Sequence, residues 1–169
     1  MTSEESKYIN KAKQIFAEAV DKERDLSLNF LRKCGSKIRL VAMEPNVLEF
    51  YLISKAFSNL SEQVLFIVGS DAYNTGSVSI REATYDAIIQ FQSDRFSHWS
   101  IIADSECQNF CFFHEADEYF ILCGKENFLL DAQPCPVDIS KLYYQQLIGE
   151  SLDIADYQHL MKKYEKFIE

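Results

Sequence analysis

Cys107, Cys111 and His114 stand at a C-x3-C-x2-H spacing, and thiolates with an imidazole are the ligands a structural zinc ion takes. A fourth ligand would have to come from Cys123, Cys135 or an acid. Side chains alternate along a strand, which puts Cys107 and Cys111 on one face and His114 on the other. Buried thiols acting as small hydrophobes are therefore the better account, and no metal or other cofactor is expected.

Cys111 or Cys123 with His98 or His114 could also form a nucleophile and base pair. An activated thiol needs a helix N-terminus or a neighbouring cation, and only Cys34, beside Lys33, meets that requirement. No catalytic residue is assigned. Gly69-Ser70-Asp71 and Gly76 lack the repeated glycines and the lysine of a phosphate loop, which argues against a nucleotide enzyme. The remaining cluster is acidic: Glu115, Asp117 and Glu118 share one short link. Paired carboxylates can hold a metal or transfer protons, yet a solvated turn is the commoner outcome and docking of a basic partner the next.

The elements that must position these groups are strands. Trp99–Ala103, Asn109–Phe113 and Tyr119–Cys123 are apolar runs of strand length, and links as short as theirs fit an antiparallel meander. Lys37–Met43 and Val64–Val68 read as two further strands. Asp104, Glu106, Glu126 and Asp131 flank the meander, so one end of the sheet is expected to be negative. Ser70–Ser79 reads as a loop, with Asp71 and Tyr73 available for contact.

Helices surround this core. Tyr8, Ile9, Ala12, Ile15, Phe16, Ala19 and Val20 recur at helical spacing, giving one helix to about Lys33, or two with a joint, closed by Gly35. Asn46 with Glu49 opens a helix whose Val47, Phe50, Tyr51, Ser54, Phe57 and Leu60 share a face. Ser79 with Glu82 predicts a third, ending near Arg95. Asp138 starts a fourth, closed at Gly149, and Asp153 a last one running through Phe167 and Ile168. Residues 1–169 are thus expected to form a single α+β domain, a mixed sheet of about five strands packed by helices from both chain ends. Trp99, Ile101, Phe110, Phe112, Ile121, Phe57, Ile88, Leu160 and Tyr164 are its expected core.

A hydrophobic share of 47% and an aromatic share of 14% exclude a disordered chain. The polar start and the lack of a long apolar run predict a cytosolic protein that does not enter a membrane. Five cysteines, an odd number lying mostly in apolar runs, suit a reducing compartment. Net charge is −9, and residues 44–137 alone hold fourteen acids against Lys55, Arg81, Arg95 and Lys125. Such a field repels nucleic acid and favours basic partners.

The phrase FCFFHEADEYFILCGKENFL is an apolar strand, an acidic turn, a second apolar strand ending in glycine, then a short apolar segment. It resembles small α+β immunity proteins of bacterial polymorphic toxin systems of the contact-dependent inhibition type. The resemblance implies a protein that neutralises a toxin by direct binding. Joined to the acidic charge, it leads to a non-catalytic binding protein for a basic toxin domain, a nuclease being the concrete case. Its contact residues are expected to be Asp104, Glu115, Asp117 and Glu118, with Asp71 and Tyr73 second. A Cys/His enzyme, or an adaptor that uses its N-terminal helix, is the alternative reading. A homodimer is compatible with either class.

Overall fold

The computed structural model describes residues 3–35, 37–41, 45–71, 73, 76–93, 98–115, 119–134 and 154–168. Six strands form one sheet: β1 (Lys37–Val41), β2 (Val64–Ser70), β3 (Gly76–Glu82), β4 (Trp99–Asp104), β5 (Phe110–His114) and β6 (Tyr119–Gly124). Their order is β1-β6-β5-β4-β2-β3, and each neighbouring pair is antiparallel. The class is α+β, as the residue pattern predicts. The sheet, however, is wholly antiparallel instead of mixed and has six strands.

The additional strand is β3, in the place where a loop and a helix start are expected. Ser79 and Glu82 have the spacing of a capping box, but Val78 and Ile80 also alternate with polar neighbours, and both pack against the core. Pairing with β2 along seven residues settles the competition. The real cap lies further on: Thr84 Oγ1 accepts from the Ala87 N–H at 3.2 Å and opens α4 (Tyr85–Ser93).

Helices cover both faces. On one face lie α1 (Ser3–Glu18), α2 (Leu28–Cys34) and α6 (Ile154–Tyr164), over Phe66, Trp99, Ile101, Phe110, Phe112 and Ile121. On the other lie α3 (Val47–Ser58), α4 and α5 (Glu126–Ala132), over Leu65, Ile67, Ile102, Phe113, Phe120 and Leu122. Helices from the two chain ends thus share one face, and the middle of the chain supplies the other. Burial on both faces explains why β4, β5 and β6 read as unbroken apolar runs, a pattern more usual for parallel sheets. Trp99, Ile101, Phe110, Phe112, Ile121, Phe57, Ile88 and Tyr164 are buried as expected, and Leu160 is partly buried.

Local signals set the helix ends. Gly35, at φ 67°, takes the left-handed conformation open to glycine and returns its N–H to Leu31 O, closing α2. Asn46 and Glu49 form a reciprocal capping box at the start of α3, both bonds 2.9 Å. The segment α5, given no helix in the sequence reading, is held by Arg39 of β1. Its guanidinium donates to Leu129 O and Gln133 O, carbonyls at the helix's negative end. The last helix stops at Tyr164, short of expectation, because Ile38 N–H bonds to Phe167 O and Ile168 bridges to Ile38 on the outer side of β1. The helix expected from Asp138 to Gly149 lies outside the described residues.

Candidate interaction surface

Successive links of a meander leave from opposite ends of a sheet, and this distributes the expected contact residues. The β2–β3 link, with Asp71 and Tyr73, and the β5–β6 link, beginning at Glu115, lie at the end where Ser70 pairs with Trp99 and Trp99 with His114. Asp104 pairs with Leu65 at the other end. Asp104 and Glu115, both expected among the contact residues, are therefore not brought together: they lie at opposite ends of the sheet, a strand's length apart.

Asp104 is corrected in role as well. It is 1% exposed, and its carboxylate accepts from Gln108 N–H, Asn109 N–H and the Asn109 side-chain amide at 2.7–2.9 Å. Asn109 in turn accepts from Lys125 N–H at 3.0 Å, linking the β4–β5 turn to the start of α5. Burial raises the Asp104 pKa against the pull of these donors. Asp104 is a turn keystone, not a surface contact. Of the others, Tyr73 is 91% exposed and donates its N–H to Asp71 Oδ1 at 3.0 Å, and Glu115 is half-buried with its N–H on His98 O. Asp117 and Glu118 lie outside the described residues.

The thiols and histidines do not converge. Cys111 faces the α3–α5 layer and is fully buried, which holds its pKa well above that of a free thiol. His114 faces the opposite layer, at the far end of β5, where its ring stacks on Tyr119 and meets His98 edge-on. Cys107 does not share the face of Cys111, as simple alternation predicts. It sits in the turn before β5, at φ 57°, and joins the α1–α2 core. Neither a zinc site nor a pair of Cys111 or Cys123 with His114 can be assembled from these positions.

Behind Tyr119 lies a partly buried ionic network that no spacing in the sequence announces. The joint between α1 and α2 folds back on itself through a bridge of Val20 to Leu26, with Arg24 at φ 67°, and brings Asp21, Glu23 and Asp25 together. These carboxylates lie within 4.8 Å of one another, the spacing of a cation site, and a cation of the chain holds them. Lys163 of α6 reaches Asp25 at 2.7 Å, Asp21 at 2.8 Å and Glu23 at 3.3 Å. Tyr119 OH donates to Asp25 at 2.6 Å, and Tyr164 OH to Leu26 O at 2.8 Å. Burial works to lower the Lys163 pKa, but bonds to Asp21 and Asp25 outweigh it and the net shift is upward. This network fastens α6 to the joint. With Ala12, Ile15, Leu26, Phe30 and Leu31 in the core, the N-terminal helices are structural and not a detachable arm.

The exposed groups of most interest lie on the other helix layer. Val47 is 81%, Leu48 65% and Tyr51 48% exposed on α3; Tyr85 is 46% and Ile89 37% exposed on α4. Residues three and four apart are neighbours on a helix, so Val47 and Leu48 adjoin Tyr51, and Tyr85 adjoins Ile89. Tyr51 and Tyr85 meet edge to face at 6.4 Å and join the two sets into one patch. Helical spacing puts Val47 and Tyr51 on the expected buried face, because α3 is apolar almost all round and periodicity cannot choose its side. In the structure Phe50, Ile53, Ala56 and Phe57 take that side. The charges on the two helices of the patch are mixed: Asp86 on α4 and Lys55, one turn from Tyr51 on α3, are exposed, and half-buried Glu49 has a raised pKa from desolvation.

Charge divides with the layers. Helices α3, α4 and α5 carry four acids, Glu49, Asp86, Glu126 and Asp131, against Lys55 alone. Helices α1, α2 and α6 carry seven Lys/Arg against four acids. No helix among the described residues is long and apolar enough to cross a membrane. No protein-family model matches the chain, and neither a curated protein nor a solved structure does.

Proposed function

We propose that this is a non-catalytic binding protein that engages a basic protein partner through the α3–α4 layer, with a toxin domain neutralised by direct contact as the concrete case. The observation that carries the reading is the exposed patch of Val47, Leu48, Tyr51, Tyr85 and Ile89, on a helix layer with more acids than bases. Partner surfaces concentrate tyrosine in an apolar centre with a polar rim, and the centre supplies most of the binding energy. The acids supply the field. A toxin that handles phosphates is positive at its site, and an acidic surface accelerates its approach and adds charge-assisted hydrogen bonds. Asp71, Tyr73 and Glu115 extend the polar contact at one end of the sheet; Asp104 drops out. The immunity-type residue pattern and the acidic composition support the same reading.

The test is capture of partners from the native cytosol with the intact chain as bait, followed by binding kinetics with the captured protein. A basic partner is expected. Leu48→Ser with Tyr51→Ala should weaken affinity tenfold or more, through faster dissociation. Glu82→Lys with Asp86→Lys should slow association severalfold at low salt, and less at high salt because steering is screened. Binding indifferent to both pairs of substitutions, or capture of no protein, overturns the proposal.

A further inference from the structure

Two thiols that the binding surface leaves unused meet between the other helix layer and the sheet. Cys34 is the last residue of α2 and half-buried; Cys107 lies in the β4–β5 turn and is 5% exposed. Their side chains line one cavity, and each thiol is the largest influence on the pKa of the other. The cavity measures about 100 Å³, and Lys11, Gln14, Ile15 and Lys33 also border it. A water molecule occupies about 30 Å³ of liquid, so that space admits a small polar oxidant.

We propose that Cys34 and Cys107 are a peroxide-sensing pair, in which Cys34 reacts with hydrogen peroxide and Cys107 resolves the product into a disulfide between α2 and the β4–β5 turn. In the first step the Cys34 thiolate sulfur attacks one peroxide oxygen and the O–O bond breaks. The departing hydroxide takes a proton from solvent to become water, and the sulfur, oxidised by two electrons, is left as the sulfenic acid. In the second step the Cys107 sulfur attacks the Cys34 sulfur and the S–O bond breaks. Hydroxide leaves with the Cys107 proton as a second water. A small thiol restores the pair by exchange.

The surroundings divide the roles. The Cys107 thiol across the cavity, then Lys11 and Lys33, hold the Cys34 pKa below that of a free thiol, against its own burial and Asp104. The Cys34 thiol, with burial, drives Cys107 strongly upward, so it remains a thiol until Cys34 is oxidised. Glu18 pairs with Lys33 at 2.6 Å and Glu106 borders the cavity; together with the negative end of α2 they temper the thiolate character of Cys34 without cancelling it. Cys111, fully buried on the opposite face of the sheet, serves as an internal control, and Cys123, fully buried in the same core cluster as Cys107, is the competing partner that the disulfide map tells apart.

The experiment treats the reduced, folded protein with equimolar hydrogen peroxide, blocks remaining thiols by alkylation and maps the unreduced digest by mass spectrometry. A Cys34–Cys107 peptide pair, lighter by two hydrogens and released by a small thiol, is expected. In Cys107→Ser a sulfenic acid should accumulate at Cys34 and be trapped by dimedone, and in Cys34→Ser peroxide consumption should fall at least tenfold. Should either variant fail to fold, the wild-type map decides. A Cys34 link to any other cysteine, Cys34 stopping as sulfinic acid beside reduced Cys107, or cysteines oxidising no faster than in the urea-unfolded chain, overturns the proposal.

Discussion

Substituting Lys163 by methionine keeps the apolar stem against the joint while removing the charge from Asp21, Glu23 and Asp25. The structure sets the scale of the loss. Lys163 and Asp25 side chains are 11% and 12% exposed, so their pairing is largely desolvated, whereas Asp21 at 31% and Glu23 at 70% face water. Removing one partner of a fully buried pair costs about 3–5 kcal/mol, and an exposed pair is worth about 1 kcal/mol or less. Asp25 keeps the Tyr119 hydroxyl at 2.6 Å and is not left wholly uncompensated. A loss of about 2–4 kcal/mol follows, and with it a Tm lower by roughly 4–16 °C for a chain of this size. Urea denaturation followed by the fluorescence of Trp99, the single tryptophan and 1% exposed, reads it directly. A double-mutant cycle with Asp25→Asn should show a coupling of at least about 1 kcal/mol that persists at high salt. A loss below about half a kcal/mol, or additive single variants, would refute the view that this network fastens α6.

The same lysine predicts a pH dependence. Its folded pKa is raised, so the stability it contributes is complete below the unfolded value of about 10.4 and is lost as pH rises through the folded pKa. Wild type should weaken more steeply than Lys163→Met above that value in alkaline denaturation curves. Asp104→Ala strands three donors of the β4–β5 turn and should cost about 2–4 kcal/mol in urea titrations while leaving partner affinity unchanged. Phe112→Ala, in the middle of β5 and fully buried, should cost about 3–5 kcal/mol; a loss under half a kcal/mol would show that the meander is not central. Gly124→Ala places a Cβ 2.5 Å from Asn109 Oδ1 and 2.6 Å from the Phe128 ring, and should destabilise by about 1–3 kcal/mol in thermal unfolding.

Much of the fold is legible in the residues because local and tertiary signals agree there. The five expected strands all form, as do the cap at Asn46 and the stop at Gly35, since each rests on chemistry within a few residues. β3 and α5 are less legible because tertiary partners decide them: pairing with β2 makes one, and Arg39 from a distant strand anchors the other. The site is where reading along the chain does worst. Asp104 looks like an exposed acid, and only the three N–H groups that converge on it show otherwise. Its separation from Glu115 was nonetheless available, since consecutive hairpins of a meander must turn at opposite ends. The α3–α4 patch was not, because an all-apolar helix does not say which side will meet the sheet. The Lys163 network joins residues some 140 positions apart, and no spacing rule links them.

The two borders of the sheet differ. On β1, the Phe167–Ile168 segment takes up the Ile38 N–H and lies beside the strand, whereas among the described residues no strand pairs with the outer side of β3. This asymmetry limits which edge-to-edge contacts the described strands could make with a second copy. Two free borders permit one copy's β3 to pair with the next copy's β1, a head-to-tail contact that repeats without end. With the β1 border partly occupied, the remaining contact is β3 against β3 about a two-fold axis, and that contact uses itself up in a pair. A few residues beside β1 thus cover the border that an open ribbon would need.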